Sequence, residues 1–176
     1  MLVSLLSLAL PALAQSDKVL KPQEVTEAVL IEALTPATPV RTRSIRVTAD
    51  TGTPNAAAAP AAKPSTNLLI TFQTNSSELT SHAKQVLNVV GRALSSDKLS
   101  TYRFSIEGHA DPRGASDANQ TLSQARAESV RQYLVHNTNI DTGRLDAIGK
   151  GDKELMNKVN PIAPENRRVT IVNMTP

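Results

Sequence analysis

Asp111 and Arg126 are the two residues of this chain whose types and surroundings point most directly to chemistry. Asp111 ends the run Gly108-His109-Ala110-Asp111 and is followed by Pro112 and Gly114. That is turn composition: Asp bonds the backbone ahead of it, Pro fixes φ, and Gly permits φ > 0. Arg126 falls four residues after Leu122 and four before Val130 in a pattern of helical period. At 3.6 residues per turn it projects about 40° from Leu122, inside the apolar stripe. A guanidinium there needs an anion. A strand-turn-helix connection can bring Asp111 back alongside the helix, which leaves two readings. Either the pair is a structural ion pair pinning turn to helix, or it is a receptor for a zwitterion. In the second case the carboxylate takes an ammonium and the planar guanidinium grips a carboxylate.

The elements that must position this pair flank it. Tyr102, Phe104 and Ile106 alternate with Arg103, Ser105 and Glu107, the pattern of a half-buried strand, which Gly108 breaks. Leu122, Ala125, Val130, Tyr133 and Leu134 predict a helix over 119–135. Upstream, the apolar run 68–72 reads as a buried strand closed by Asn75, Ser76 and Ser77. Thr80 then suits the N-cap of a helix with Ala83, Val86, Leu87, Val90 and Leu94 facing inward. Downstream come a loop at 137–143, a strand at 145–148 closed by Gly149 and Gly151, a connection punctuated by Pro161 and Pro164, and a last strand at 169–172. The order β-α-β-α-β-β is that of an α/β two-layer sandwich with helices on one sheet face. It takes up residues 67–176.

What precedes it reads as a largely unstructured N-terminal segment. Residues 2–13 are apolar and close on Ala12-Leu13-Ala14, a small-x-small cleavage pattern, so 1–14 reads as a secretory signal peptide and 15–66 as the start of the mature chain. The apolar run is too short for a membrane span, which needs roughly 20 residues. Residues 22–34 carry a modest helical pattern, with Pro22 suited to a first turn. Residues 40–47 are β-prone with three arginines, and 53–64 form an Ala- and Pro-rich linker.

The chain has 176 residues, a net charge of +3, four aromatic residues and no cysteine. A disulfide, a thiolate metal site, a cysteine nucleophile and a lipobox are thereby excluded. The charge is too balanced, and stacking aromatics too few, for a nucleic-acid partner. His82 and His136 fall near helix ends as surface residues. His109 and Asp111 lack a third metal ligand, so no metal or other cofactor is expected. No nucleophile elbow, phosphate loop or zincin helix appears, and Glu107 with Asp111 is a poor acid pair, so an enzyme is not expected. Asn75 and Asn119 stand where an amide can cap a helix or bond a ligand, and capping suits Asn119 better. Arg167 and Arg168 are adjacent and point to opposite faces if the strand runs through them.

At these residues the chain resembles a family: the OmpA-like peptidoglycan-binding domain shared by outer-membrane porin tails, the peptidoglycan-associated lipoprotein and flagellar stator proteins. The matching pieces are Phe72-x-x-Asn75-Ser76-x-x-Leu79, Gly108-His109-Ala110-Asp111-x-x-Gly114, Asn119-x-x-Leu122-Ser123-x-x-Arg126-Ala127 and Asn166-Arg167-Arg168-Val169. Leu155 departs from it, since many members carry Pro there. The resemblance implies that Asp111 and Arg126 bind the diaminopimelate of the stem peptide, whose D-centre is a free amino acid. It also implies site roles for Asn75, Asn119 and Arg167, and a location in the periplasm of a Gram-negative bacterium, in association with the outer membrane. The expected function is noncovalent wall binding. The alternative is an adaptor whose residues 15–66 dock an envelope protein while the wall contact only places it.

Overall fold

A computed structural model describes residues 18–36, 63–73 and 76–175. The signal-peptide region, residues 40–47, most of the linker and Asn75 lie outside the described residues. Five strands form one mixed sheet: β1 (Val19–Leu20), β2 (Ser65–Leu68), β3 (Phe104–His109), β4 (Leu145–Gly151) and β5 (Val169–Asn173). Their spatial order is β1-β2-β5-β3-β4. β5 runs antiparallel to both β2 and β3, whereas β1 is parallel to β2 and β4 to β3. Three helices complete the fold: α1 (Glu27–Leu34), α2 (Ser81–Leu94) and α3 (Ser116–Thr138).

Period-2 alternation on the strands divides the sheet into two faces. Phe104 and Ile106 of β3, Leu145 of β4 and Val169 and Ile171 of β5 are buried with the helices. Ser105, Glu107 and His109, with Arg168 and Thr170, belong to the other face. From α2 the core takes Ala83, Val86, Leu87, Val90 and Leu94, the positions its spacing predicts. The Thr80 hydroxyl caps that helix by accepting from Ala83 N at 3.2 Å.

Three departures from the sequence expectation have physical causes. The first long strand is 65–68 and not 68–72. Polar Thr66 and Asn67 pair with Ile171 and Thr170 of β5, and Asn67 bonds polar side chains on the sheet's second face, so an apolar run is a poor guide there. The chain leaves this strand where Leu69 N donates to Leu20 O at 3.1 Å, and Phe72 keeps only an isolated bridge to Leu79. Secondly, Gly108 does not break β3 but lies inside it. A Cβ at Gly108 would stand 2.3 Å from Ser123 O, and one at Gly149 would stand 2.6 Å from Gln124 N. Both glycines are small so that α3 can lie directly on the sheet. Thirdly, the buried stripe of α3 is Asn119, Ser123, Ala127, Val130 and Leu134, and Leu122 and Arg126 flank it half-buried.

The pattern over 22–34 forms a helix and docks. Leu30 and Leu34 are fully buried, β1 extends the sheet, and Asn173 Nδ2 donates to Leu34 O at 2.9 Å. The sequence expectation opens the domain at residue 67; the packed unit described here also takes in 18–36. No helix among the described residues is long and apolar enough to cross a membrane.

Candidate functional site

Asp111 stands just beyond the end of β3. Ala110 N donates to Gly151 O at 2.8 Å, which holds the chain to the sheet one residue before it. Asp111 then turns the backbone: Oδ1 accepts from Arg113 N at 3.2 Å, and Gly114 follows with φ 91°. Asp111 is 5% exposed, and two guanidiniums hold its carboxylate. Arg113 grips it with two nitrogens, Nε 3.1 Å from Oδ1 and the Nη2 nitrogen 2.7 Å from Oδ2. Arg167 adds its Nη1 nitrogen 2.8 Å from Oδ2. The Arg113 hydrogen bonds, helped by Arg167 and opposed by burial, hold the Asp111 pKa down to about 2.

Arg126 forms no ion pair with Asp111 among the described residues. Its Nε donates to Ser76 O at 3.1 Å, and its guanidinium lies 5.0 Å from the centre of the Phe72 ring. So a turn-pinning ion pair between Asp111 and Arg126 is not what the structure contains; Arg113 and Arg167 fill that role. Arg126 nonetheless feels both neighbours: burial, then the Arg167 charge, depress its pKa, and Asp111 partly offsets them. The cleft therefore holds three guanidiniums around one carboxylate, with excess positive charge and acceptor positions to fill.

Asn119 does not cap α3, whose N-cap residue Ala115 makes no side-chain bond. Its amide reaches backward instead, Nδ2 donating to Asp111 O at 3.1 Å and to Asp152 Oδ2 at 3.3 Å. It thereby positions the Asp111 backbone. Arg167 and Arg168 do diverge: Arg167 turns to Asp111, and Arg168 to Asn67 Oδ1 at 3.2 Å across the other face. His109 turns away from the Asp111 cleft. It points to that second face, with Nε2 3.1 Å from the Thr170 hydroxyl, while His82 and His136 are exposed as expected. Sequence reasoning missed Arg113. Part of the signal was available, because an Asx-type turn brings the backbone N–H two residues on to the carboxylate, and the residue there is an arginine.

The sign of the acid dependence follows from Asp111. Its pKa is depressed on folding, so the stability from its ion pairs is complete above the ordinary aspartate value and is lost as pH falls through about 2. Arg113→Ala removes the largest cause of that depression. Acid titration followed by far-UV circular dichroism should find its unfolding displaced to higher pH than the parent's; coincident curves would show that the contact contributes nothing.

An α/β sandwich with an acid and guanidiniums converging at the end of the interior strand β3 defines the class. The OmpA family pattern matches residues 71–168, and the chain belongs to that family. It is 38% identical over 104 residues to outer membrane protein Omp38 of Acinetobacter baumannii, covering 58% of this chain and 29% of that protein. It is 32% identical over 113 residues to the peptidoglycan-associated lipoprotein of Brucella melitensis, covering 59% of this chain and 62% of the lipoprotein. The chain thus matches under a third of the first relative and less than two thirds of the second. Among solved structures, the OmpA-like domain of FopA1 from Francisella tularensis superposes with a TM-score of 0.53 at 18% identity, over 61% of this chain and 70% of that one. The peptidoglycan-associated lipoprotein of Burkholderia pseudomallei gives 0.51 at 24% identity, over 60% and 88%. These superpositions establish the fold.

Proposed function

We propose that this protein binds peptidoglycan noncovalently in the bacterial envelope, through the diaminopimelate of the stem peptide, and that it is not an enzyme. The observation that carries the reading is the cleft itself: a buried carboxylate next to a guanidinium, Arg126, that has no carboxylate partner among the described residues. A free amino-acid centre offers an ammonium and a carboxylate at one carbon. Asp111 is ionised across the physiological range and takes the first, while Arg126 and Arg167 take the second. Asn119 holds the Asp111 backbone, and the resemblance to the family gives Asn75, outside the described residues, a ligand role. The ammonium meets a carboxylate that already carries Arg113. That side chain is 61% exposed, so it can yield to solvent. The names of the relatives support the class of ligand, since two of them are peptidoglycan-associated lipoproteins.

Placement in the periplasm near the outer membrane goes with this reading. Docking of an envelope protein by residues 15–66 is a separate proposal. Residues 18–36 commit Leu30 and Leu34 to the core, which leaves the exposed face of α1, with Glu27, Ala28, Val29 and Glu32, for any such contact.

The test is co-sedimentation of the purified protein with isolated sacculi, followed by elution with a soluble stem peptide containing diaminopimelate. The protein should pellet and be released by the peptide. Failure to pellet, or pelleting that the peptide does not reverse, would refute the reading.

A further inference from the structure

The sheet face that carries no helix holds a second cluster of charged groups. Glu107 and His109 of β3, Arg168 just before β5, Thr170 of β5 and Glu154 from the loop after β4 line one groove of about 560 Å³. An oxygen each of Glu107 and Glu154 and a ring nitrogen of His109 lie within 4.8 Å of one another. Two carboxylates and an imidazole that close carry little by themselves. The state of the imidazole adds to them.

His109 is 3% exposed, and a chain of hydrogen bonds fixes its tautomer. Arg168 Nε donates to Asn67 Oδ1 at 3.2 Å, which identifies that atom as the oxygen. The Thr170 hydroxyl has one proton, and it goes to the same Asn67 oxygen at 2.7 Å. Toward His109 Nε2, 3.1 Å away, the hydroxyl must therefore accept, so Nε2 carries the ring proton. Nδ1 is left as a bare lone pair, buried and with no hydrogen-bond partner. Leaving a buried acceptor unmatched is costly, and such atoms are few in folded proteins. An imidazole with one N–H held by an outer hydrogen bond and the other nitrogen bare is prepared as a metal ligand.

We propose that Glu107, His109 and Glu154 form a binding site for a divalent zinc ion. One imidazole and two carboxylates supply three ligands of the nitrogen and oxygen types that zinc takes and leave a fourth position for water, whereas calcium and magnesium prefer oxygen alone. Lys150 now stands where the ion's charge would be, with Nζ 3.0 Å from Glu154 Oε1 and 3.5 Å from Glu107 Oε2. One intramolecular cation thus already bridges the two acids, and zinc competes with it for the same oxygens. Tetrahedral zinc brings its ligand atoms to roughly 3.4 Å of one another, so the cluster must contract by at most about 1.4 Å. Glu154, whose side chain is 53% exposed, can supply that movement while Lys150 withdraws on its four-carbon stem. The cluster shares no residue with the Asp111 cleft and stands independently of the wall-binding reading.

Calorimetric titration of the full chain with zinc chloride tests the site. One zinc per chain is expected. Lys150→Met, which keeps the stem and removes the competing charge, should tighten binding by about ten-fold. Glu154→Gln, on the exposed loop, and Glu107→Gln should each weaken it by at least that factor. Thr170→Val, which removes the outer partner of Nε2, should weaken it roughly 10- to 100-fold. Val29→Ala, on the solvent side of α1, should leave it unchanged. Zinc uptake that both glutamine variants leave unaltered would place the ion at the exposed His82 or His136 and overturn the proposal. Absence of saturable uptake by a folded Lys150→Met protein would overturn it too.

Discussion

Asp111→Asn and Arg126→Ala should each weaken binding of a diaminopimelate stem peptide by about 2–5 kcal/mol, because removing one prong of a clamp leaves a desolvated charge of the ligand unpaired. Much of either loss is that penalty, so the double variant should lose less than the sum. The two substitutions differ in what they do to the unliganded protein. Asp111 is the common acceptor of Arg113 and Arg167, and its removal brings two guanidiniums together without their carboxylate. Arg126 has one hydrogen bond, to the Ser76 carbonyl, and one ring contact, with Phe72, among the described residues and no ion pair, so Arg126→Ala should melt close to the parent. Arg126→Ala is therefore the cleaner probe of the ligand. A stem peptide with lysine in place of diaminopimelate lacks the distal carboxylate. It should bind the parent poorly, and Arg126→Ala should discriminate the two peptides far less. Isothermal titration with both peptides, beside melting curves, decides the matter. Equal affinity of the folded parent for the two peptides would sink the clamp.

How much of this was legible in the sequence depends on whether a residue's partner lies nearby in the chain. The inward positions of α2, the Thr80 cap and the placement of Asp111 at the end of a strand before a turn all follow from local spacing, and the structure has them. The order of strands and helices was legible for the same reason. Residues whose partners are distant read less well. Gly108 reads as a strand breaker because nothing local shows that Ser123 of α3 must pass against it. Arg126 reads as a core guanidinium in want of an anion, whereas a ring and a backbone carbonyl meet it and Asp111 is held by Arg113 and Arg167. The polar strand 65–68 escapes an apolar template because its side chains join a hydrogen-bonded layer running from Asn67 through Thr170 to His109. That layer also explains the burial of His109 and Arg168, neither of which any periodicity marks.

Leu30→Ala and Leu34→Ala should each cost about 2–5 kcal/mol of stability, the range for leucines truncated in a packed core. Both are fully buried, and Val25 beside them is 7% exposed. A weak helical pattern preceding a linker could equally belong to a transient helix, and then truncating either leucine would leave the melting temperature where it was. The structure gives three reasons to expect otherwise. β1 adds to the edge of β2, Leu69 N donates to Leu20 O, and Asn173 Nδ2, itself fully buried, donates to the carbonyl of Leu34. Losing the last contact would strand a buried amide at the end of β5, a penalty beyond the apolar area. The ion pair from Glu27 to Arg92 adds little, since both side chains are largely solvated at 3.8 Å. Val29, on the solvent side of the same helix at 38% exposed, is the control: Val29→Ala should stay within about 0.5 kcal/mol of the parent. Denaturant melts of the three variants distinguish a brace from a tether. Three superimposable curves would mean that residues 18–36 contribute nothing to the fold, whereas loss confined to Leu30→Ala and Leu34→Ala would mean that a fragment beginning at β2 starts with an uncovered core.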